Sequence, residues 1–250
     1  HLIACLEALH ALPEQPGEII VVDNASTDDS LDTARVKFPE ASFYSAGGNT
    51  GFAAANNLGI AQTDKPWVAL VNPDAFVARN WLRTLLDAVQ EFPRVGAFSA
   101  ELLDANNHSL LDGQGDCYHV SGLVWRRKHA QPTDSGDSQL PFFAPCAASA
   151  LYRRDALVDV GGFDEDYFCY IEDVDLGFRL RLAGYECMHI KQAITYHVGS
   201  ATTEKESDFS VYHGHRNVVW TYFKDMPAAR FWLYLPQHLL MNLVALAYYT

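Results

Sequence analysis

Short apolar runs that alternate with helical patterns constrain this chain more than any other feature. "EIIVVD", Glu18 to Asp23, sets four consecutive apolar residues between polar turns, which suits a strand of a parallel sheet covered on both faces. "ASFYSA", "WVALVNPD" (Trp67 to Asp74) and "VGAFSAEL" read as further strands, and "DSLDTARVKF", "NTGFAAANNLGIAQ" and "WLRTLLDAVQEF" as the helices between them. Ser26 with Asp29 three residues on predicts a capping box for the first of these helices, which ends before Pro39. Strands alternating with helices of this length predict an α/β fold, a Rossmann-like and mostly parallel sheet flanked by helices. Between Leu102 and Pro141 the alternation breaks down, and "DSGDSQ" there reads as an exposed, mobile loop. It resumes at "CAASALYRRDALVDVGGF" as strand, short helix and double glycine.

The 250 residues carry a formal charge of -13, which argues against nucleic acid as a partner, because phosphate backbones are held by clustered Lys and Arg. The basic run "WRRKH", Trp125 to His129, reads as a solvated loop or a local anion contact. An acidic protein that handles phosphates borrows positive charge, usually from a divalent cation held by carboxylates. Five widely spaced cysteines without a CxxC pair predict reduced, mostly buried thiols in a cytosolic compartment. The opening "HLIACLEALHAL" lacks the basic region and cleavage site of a signal peptide and begins at once on an amphipathic helix.

In open α/β sheets ligands bind at the carboxyl ends of strands. Two strands here end on Asp, at Asp23 and Asp74, either as turn-forming caps or as part of a site. "FDEDYFCYIEDVDLGFRLRLAGYECMHI", Phe163 to Ile190, adds a crowd of carboxylates. Its "EDVDLGFRLRLAG" predicts a helix burying Ile171, Val174, Phe178 and Leu182, with Glu172, Asp173 and Asp175 in the first turn, where the macrodipole favours ionised carboxylates. Asp175 is set to pair with Arg179 one turn on. An EF-hand is excluded: counting from Asp164, Phe168 falls at the fifth position and no Gly at the sixth. Tyr167, Phe168 and Tyr170 are either ordinary core or the floor of a sugar site.

Taken in order, "EIIVVDNASTDDS", "GGNTGFAAANNLGI", "VALVNPDAFV", "GGFDEDYFCYIEDVDLGFRLRLAGYE" and "AITYHVGSAT" resemble the family 2 inverting glycosyltransferases of GT-A fold. Within that family the segments are most similar to members of the rhamnosyltransferase and galactofuranosyltransferase type. The resemblance implies a domain over residues 1–227 that moves a sugar from a dTDP- or UDP-linked donor to a glycan or polyprenyl-linked acceptor. By the same resemblance Asp23 reads the nucleotide base, and Asn49, Gly51, Asn57 and Asn72 line the nucleotide-sugar pocket. Asp74 and His197 hold Mn²⁺ or Mg²⁺, with Asn72 standing where many relatives carry a first Asp. Glu172 and Asp173 form the family's ED pair, in which Asp173 is the catalytic base, and Arg216 neutralises the diphosphate. His213 and His215 receive no role. The glycine pattern is neither the dinucleotide fingerprint nor a P-loop.

The tail "FWLYLPQHLLMNLVALAYY" has no charged residue, and residues 228–250 read as an interfacial membrane helix preceded by Lys224 and Arg230, or else as a core-packing or homodimer-forming helix. The enzyme is thus expected in the cytoplasm or at the inner face of the membrane. An apolar strand that relatives carry ahead of the first helix has no counterpart, so donor binding by this chain is expected to be weak. A catalytically inactive sugar-binding module and a nucleotidyltransferase are the alternatives.

Overall fold

The computed structural model describes residues 1–133, 139–199 and 207–249. In chain order it forms α1 (Leu2–His10), β1 (Ile20–Asp23), α2 (Ser30–Lys37), β2 (Ser42–Ser45), α3 (Gly51–Ala61), β3 (Trp67–Val71), β4 (Ala75–Val77) and α4 (Trp81–Glu91). There follow β5 (Val95–Asp104), β6 (Leu111–Gly113), β7 (Asp116–Tyr118), β8 (Val124–Arg126), β9 (Gln139–Pro141), β10 (Ser149–Arg153) and α5 (Arg154–Val160). The chain closes with α6 (Glu172–Leu182), β11 (Glu186–His197), α7 (Asp208–Asp225) and α8 (Ala228–Tyr249).

The main sheet runs β3–β10–β5–β11–β4. Its spine is the parallel ladder of β5 with β11, and the shorter strands join antiparallel. β5 is buried from Val95 to Leu103, so nearly its whole length lies under helices. One face carries α4, whose Trp81, Leu85 and Ala88 pack on Phe98, Ala100 and Ile190. The other carries α3, α5 and α6, with Ala53, Leu157, Leu176 and Leu180 around Tyr152 and Phe163. Helices on both faces give the expected α/β layering. β1 and β2 pair in parallel as a separate two-stranded sheet, and β1 makes no ladder with β3.

Several local expectations are corrected. The capping box at Ser26 does not form: α2 starts at Ser30, and Asp28 accepts its first N–H at 3.2 Å, while Ser26 N–H bonds Asp23 Oδ1 at 2.9 Å. Asp28 wins because it is the nearer acceptor to the helix start. On α6, Leu182 is 55% exposed and Ile171 is the half-buried N-cap. Leu176, Gly177 and Leu180 are buried with Val174 and Phe178, since α6 is wedged between the sheet, α7 and the 143–144 segment and has more than one covered face. The "DSGDSQ" segment lies outside the described residues up to Ser138, and Gln139 opens β9.

α8 packs back on α7: Tyr222 donates to Phe231 O at 2.7 Å and stacks on the buried His238 at 3.9 Å between ring centroids. Lys224, which precedes α8, pairs with Asp175 at 2.6 Å and with Asp164 at 2.5 Å. Among the described residues no helix is long and apolar enough to cross a membrane.

A Cβ at Gly177 would lie 2.4 Å from Ala144 Cβ and 2.8 Å from its Cα. Gly177→Val should therefore destabilise the domain by about 1–3 kcal/mol in urea unfolding; an unchanged midpoint would mean that α6 is free to shift.

Candidate active site

One polar seam links five distant parts of the chain. The Asn72–Asp74 turn is fixed on both sides, by Asn72 N–H to Ala148 O at 2.9 Å and by Val198 N–H to Asp74 O at 3.0 Å. The second bond brings the end of β11 over the turn, so that His197 Nε2 stands 3.5 Å from Asp74 Oδ1. On its other side His197 Nδ1 bonds Asp112 Oδ2 at 2.9 Å. Asp112 also accepts from Arg126 Nη1 at 3.1 Å, and Arg126 Nε is 3.6 Å from Asp116. Asp116, Cys146 and Asp173 bring one ligand atom each within 4.8 Å of one another, which carries the seam to the start of α6. Asp173 is held there by N–H groups of Val174 at 2.9 Å and Ala147 at 3.3 Å.

Burial sets the protonation pattern. Burial alone would push His197 down, but the hydrogen bonds it donates to Asp112 and Asp74 override it and raise its pKa to about 9. Asp74 and Asp112, which burial would raise, are held below the usual carboxylate range by His197, and Asp112 by Arg126 as well. Farther along the seam burial wins. Asp116 is pushed up to about 7 by desolvation and by Asp173, and Glu172, whose Oε2 has no partner, is raised well above the ordinary range. Desolvation also raises Asp173, against Arg126 and its two N–H donors. A carboxylate with a raised pKa near neutral pH is a stronger proton acceptor than an exposed one.

The other side of the site is a turn organised by Asn24, a residue without an assigned role in the sequence. Its Oδ1 accepts Thr50 N–H at 2.8 Å, and its Nδ2 reaches Asn49 Oδ1 and Gly51 O at 3.2 Å each. Gly51 has φ +84°, and a Cβ there would meet Phe168 O at 2.5 Å, so the glycine lets the 163–171 segment close on α3. Asp23 ends β1 and holds its own turn.

That segment is strained. Phe168, Tyr170 and Ile171 have φ of +64°, +66° and +68°, a region that costs a non-glycine residue about 1–3 kcal/mol. The buried Asn217 restrains it by donating from Nδ2 to the carbonyls of Tyr167 (3.0 Å), Cys169 (2.9 Å) and Tyr170 (2.7 Å). Arg216 adds bonds to the carbonyls of Asp166 at 3.1 Å and Tyr167 at 2.9 Å and lies over the Trp220 ring. Arg216 Nη2 makes both of these carbonyl bonds, and Nε donates to Asn217 Oδ1 at 2.9 Å. Asn57 is likewise committed: its amide donates to Phe163 O at 2.8 Å and accepts Phe163 N–H at 2.9 Å. Of the aromatics, Tyr167 is buried core, while Phe168 stacks on His213.

The structure thus joins Asp74, His197 and Asp173 in one seam and sets Asn49 and Gly51 against the turn that leads to Asp173. Asp112, Asp116, Arg126, Asn24 and Asn217 were missed. The basic run "WRRKH" was the available signal for Arg126, since one guanidinium among many carboxylates is drawn to them.

These features define the class: an α/β fold of the GT-A glycosyltransferase kind, with its polar site at one sheet edge. The fold matches that of Staphylococcus aureus TarS in complex with UDP (TM-score 0.60, 18% identity, covering 96% of this chain and 67% of that one). It also matches a mannosyltransferase from Pyrobaculum calidifontis in complex with GDP-Man and Mn²⁺ (TM-score 0.60, 18% identity, 98% and 70%). Residues 1–161 match the family model described as Glycosyl transferase family 2. Over 235 residues the chain is 30% identical to N-acetylglucosaminyl-diphospho-decaprenol L-rhamnosyltransferase of Mycobacterium tuberculosis, covering 82% of this chain and 74% of that protein. The chain belongs to glycosyl transferase family 2 and is a glycosyltransferase.

Two outcomes follow. Because folding raises the His197 pKa from 6.5 to about 9, the stabilisation it brings is complete below about pH 6.5, shrinks as pH climbs and is gone above about 9. Its full size is on the order of 3 kcal/mol, and urea unfolding should show this decline in the wild type and not in His197→Gln. Removing the restraint with Asn217→Ala should lower turnover roughly 100-fold, and Tyr170→Gly in the same chain should restore part of it, because glycine holds positive φ without help.

Proposed function

We propose that this enzyme transfers a sugar with inversion from a nucleoside-diphosphate donor, dTDP-rhamnose or UDP-galactofuranose before UDP-hexoses, to a hydroxyl of a glycan carried on a polyprenyl diphosphate. The observation that carries this reading is the seam itself, which puts Asp173 at the far end of the same buried polar line as Asp74 and His197. Asp173 takes the proton of the acceptor hydroxyl as that oxygen attacks the anomeric carbon, opposite the departing diphosphate. A single carboxylate suffices, because inversion needs no covalent intermediate. Burial and the neighbouring Asp173 raise the Glu172 pKa, and of the two carboxylates Asp173 is the one held by N–H donors, from Val174 and Ala147, which supports Asp173 as the base of the pair.

Asp23, Asn49 and Gly51 form the nucleotide side, with Asn24 setting the turn. Asn57 and Arg216 act one step removed, by holding the segment between that turn and α6. A divalent ion, Mn²⁺ before Mg²⁺, fits the remaining donor set. Asp74 offers a carboxylate oxygen beside His197 Nε2, and Asp112 holds the other ring nitrogen, Nδ1; an ion bound at Nε2 would take the place of the proton that His197 carries between these two carboxylates. When bound, such an ion would offset the charge that grows on the leaving diphosphate. Among the described residues Asp116, Cys146 and Asp173 are also close enough to hold an ion, but Arg126 stands 3.6 Å from Asp116 and burial raises the Cys146 thiol pKa, both of which disfavour a cation there. The named acceptor of the mycobacterial relative supports a lipid-linked acceptor, and α8, with no charged residue after Arg230, supports work at the cytoplasmic membrane surface.

Calorimetry with dTDP and UDP, with and without Mn²⁺, tests the donor side: Asp74→Ala should abolish the metal-dependent part of binding. Asp173→Asn should leave that binding within about threefold and lower turnover by about a thousandfold, within the range set by general-base catalysis. Full activity of Asp173→Asn would remove the base from this reading.

A further inference from the structure

We infer that Gln114 is a positioning residue for the transfer: through the buried carboxylate of Glu101 it holds Asp112 against His197, and this rests on the seam being the site of the reaction. Gln114 Nε2 donates to Glu101 Oε2 at 3.0 Å, and the same oxygen lies 2.9 Å from His189 Nε2. Gln114, Glu101 and His189 are 1%, 3% and 0% exposed, and the mechanism above uses none of them. Leaving a buried carboxylate without partners is costly, so Glu101 fixes where both of its neighbours sit.

Both strands that carry the Asp112–His197 pair leave regular register before they deliver it. In β6, Leu111 and Gly113 pair with Leu103 and Leu102, neighbours in β5, so Asp112 is the extra residue of a bulge and the ladder does not set its place. β11 slips against β5 between the pairs Ile190–Ala100 and Ile194–Glu101, on the way to His197. Glu101 bridges the two irregularities, because it bonds His189, ahead of the slip in β11, and Gln114, two residues past the bulge in β6. One carboxylate oxygen thereby sets the depth of Asp112 and steadies the strand that brings His197 to it at 2.9 Å.

Within residues 113–115 no other side chain is available for this task. A Cβ at Gly113 would lie 2.4 Å from Arg126 Cγ and Cδ, and one at Gly115, where φ is +88°, would lie 2.3 Å from Phe142 Cε2. The main-chain bonds here, Gln114 N–H to Arg127 O at 3.1 Å and Arg127 N–H to Gly115 O at 2.9 Å, tie the turn to the end of β8. Arg126 Nη1 holds the Asp112 carboxylate at 3.1 Å and His129 Nδ1 lies 2.8 Å from its carbonyl, but both belong to that same returning segment and move with it. Asp116 has an anchor of its own, since it exchanges main-chain bonds with Ala144 at 2.8 and 3.2 Å. The tether to the sheet therefore acts on Asp112 in particular.

Transfer from dTDP-rhamnose to N-acetylglucosaminyl diphosphate decaprenol would be measured with Gln114→Met, which fills the space of the amide and cannot donate, with the melting temperature as the fold control. kcat should fall by roughly 10- to 100-fold while KM for the acceptor stays within about twofold. In an Asp112→Ala background the same substitution should lower kcat less than about twofold further, because the path it acts through is already cut. Losses that multiply in full, or an unchanged kcat for Gln114→Met alone, would overturn the inference. A crystal structure of Gln114→Met supplies a readout without transfer: Asp112 and His197 should lie beyond hydrogen-bond reach, and a contact retained at 2.9 Å would equally overturn it. Gln114→Asn, one methylene too short to reach Glu101, gives the same readouts if the methionine variant does not fold. A wild-type chain that transfers no rhamnose, with the crystallographic separation as expected in the variant, would count against the transfer reading alone.

Discussion

Everything at the carboxyl edge of this sheet depends on neutralising buried charge with charge drawn from elsewhere in the chain. Asp74, Asp112 and Asp116 are buried or nearly so, and an isolated carboxylate in such a place either finds a cation or keeps its proton. His197 serves two of them and Arg126 serves two, with Asp112 shared. The result is an alternating line of charges in which each group fixes the next. Beside His197 the carboxylates Asp74 and Asp112 are held below the usual range; toward α6 burial raises Asp116, despite Arg126, and Glu172. Asp173 stands at the α6 end of this line, raised by its burial and held by two N–H donors.

A second constraint is steric. Three positive-φ residues in four do not persist without restraint, and α7 supplies it through Asn217 and Arg216 while α3 supplies it through Gly51 and Asn57. The same segment therefore touches the nucleotide-side turn, the start of α6 and the helix pair α7–α8. A shift in any of these is felt at Asp173, which is the physical basis for treating Asn217 as a positioning residue. Strain held by several independent bonds favours one arrangement of the turn over looser ones.

Sequence reading recovered the parts governed by local pattern and by motif. The strands β1, β3 and β5 and the helices α3 and α4 follow from runs and periodicity, and the Asp175–Arg179 pair forms at 2.6 Å as helix spacing requires. It did not find Asp112, Asp116 or Arg126, because residues 102–141 have no regular period and the short strands there are fixed by distant partners: β6 by β5, and Asp116 by Ala144. Asn57 and Arg216 were seen as polar groups near a site, and their commitment to main-chain carbonyls could not be read from residue type. Leu182 was assigned to the core by helical spacing alone, and the packing of α6 on more than one side moved burial to Leu176 and Leu180.

By itself the sequence determined the α/β alternation, the acidic start of α6, the strand end that carries Asp23 and the polar turn after β3 that carries Asp74, since each depends on neighbours within a few residues. It extended β3 to Asp74, whereas the strand stops at Val71. Tertiary structure alone decided which carboxylates ionise, which cation each one meets and which polar side chains are left to face a substrate. Those outcomes depend on desolvation and on charges hundreds of atoms away along the chain but only about 3 Å away in space, as His197 and Asp112 are at 2.9 Å.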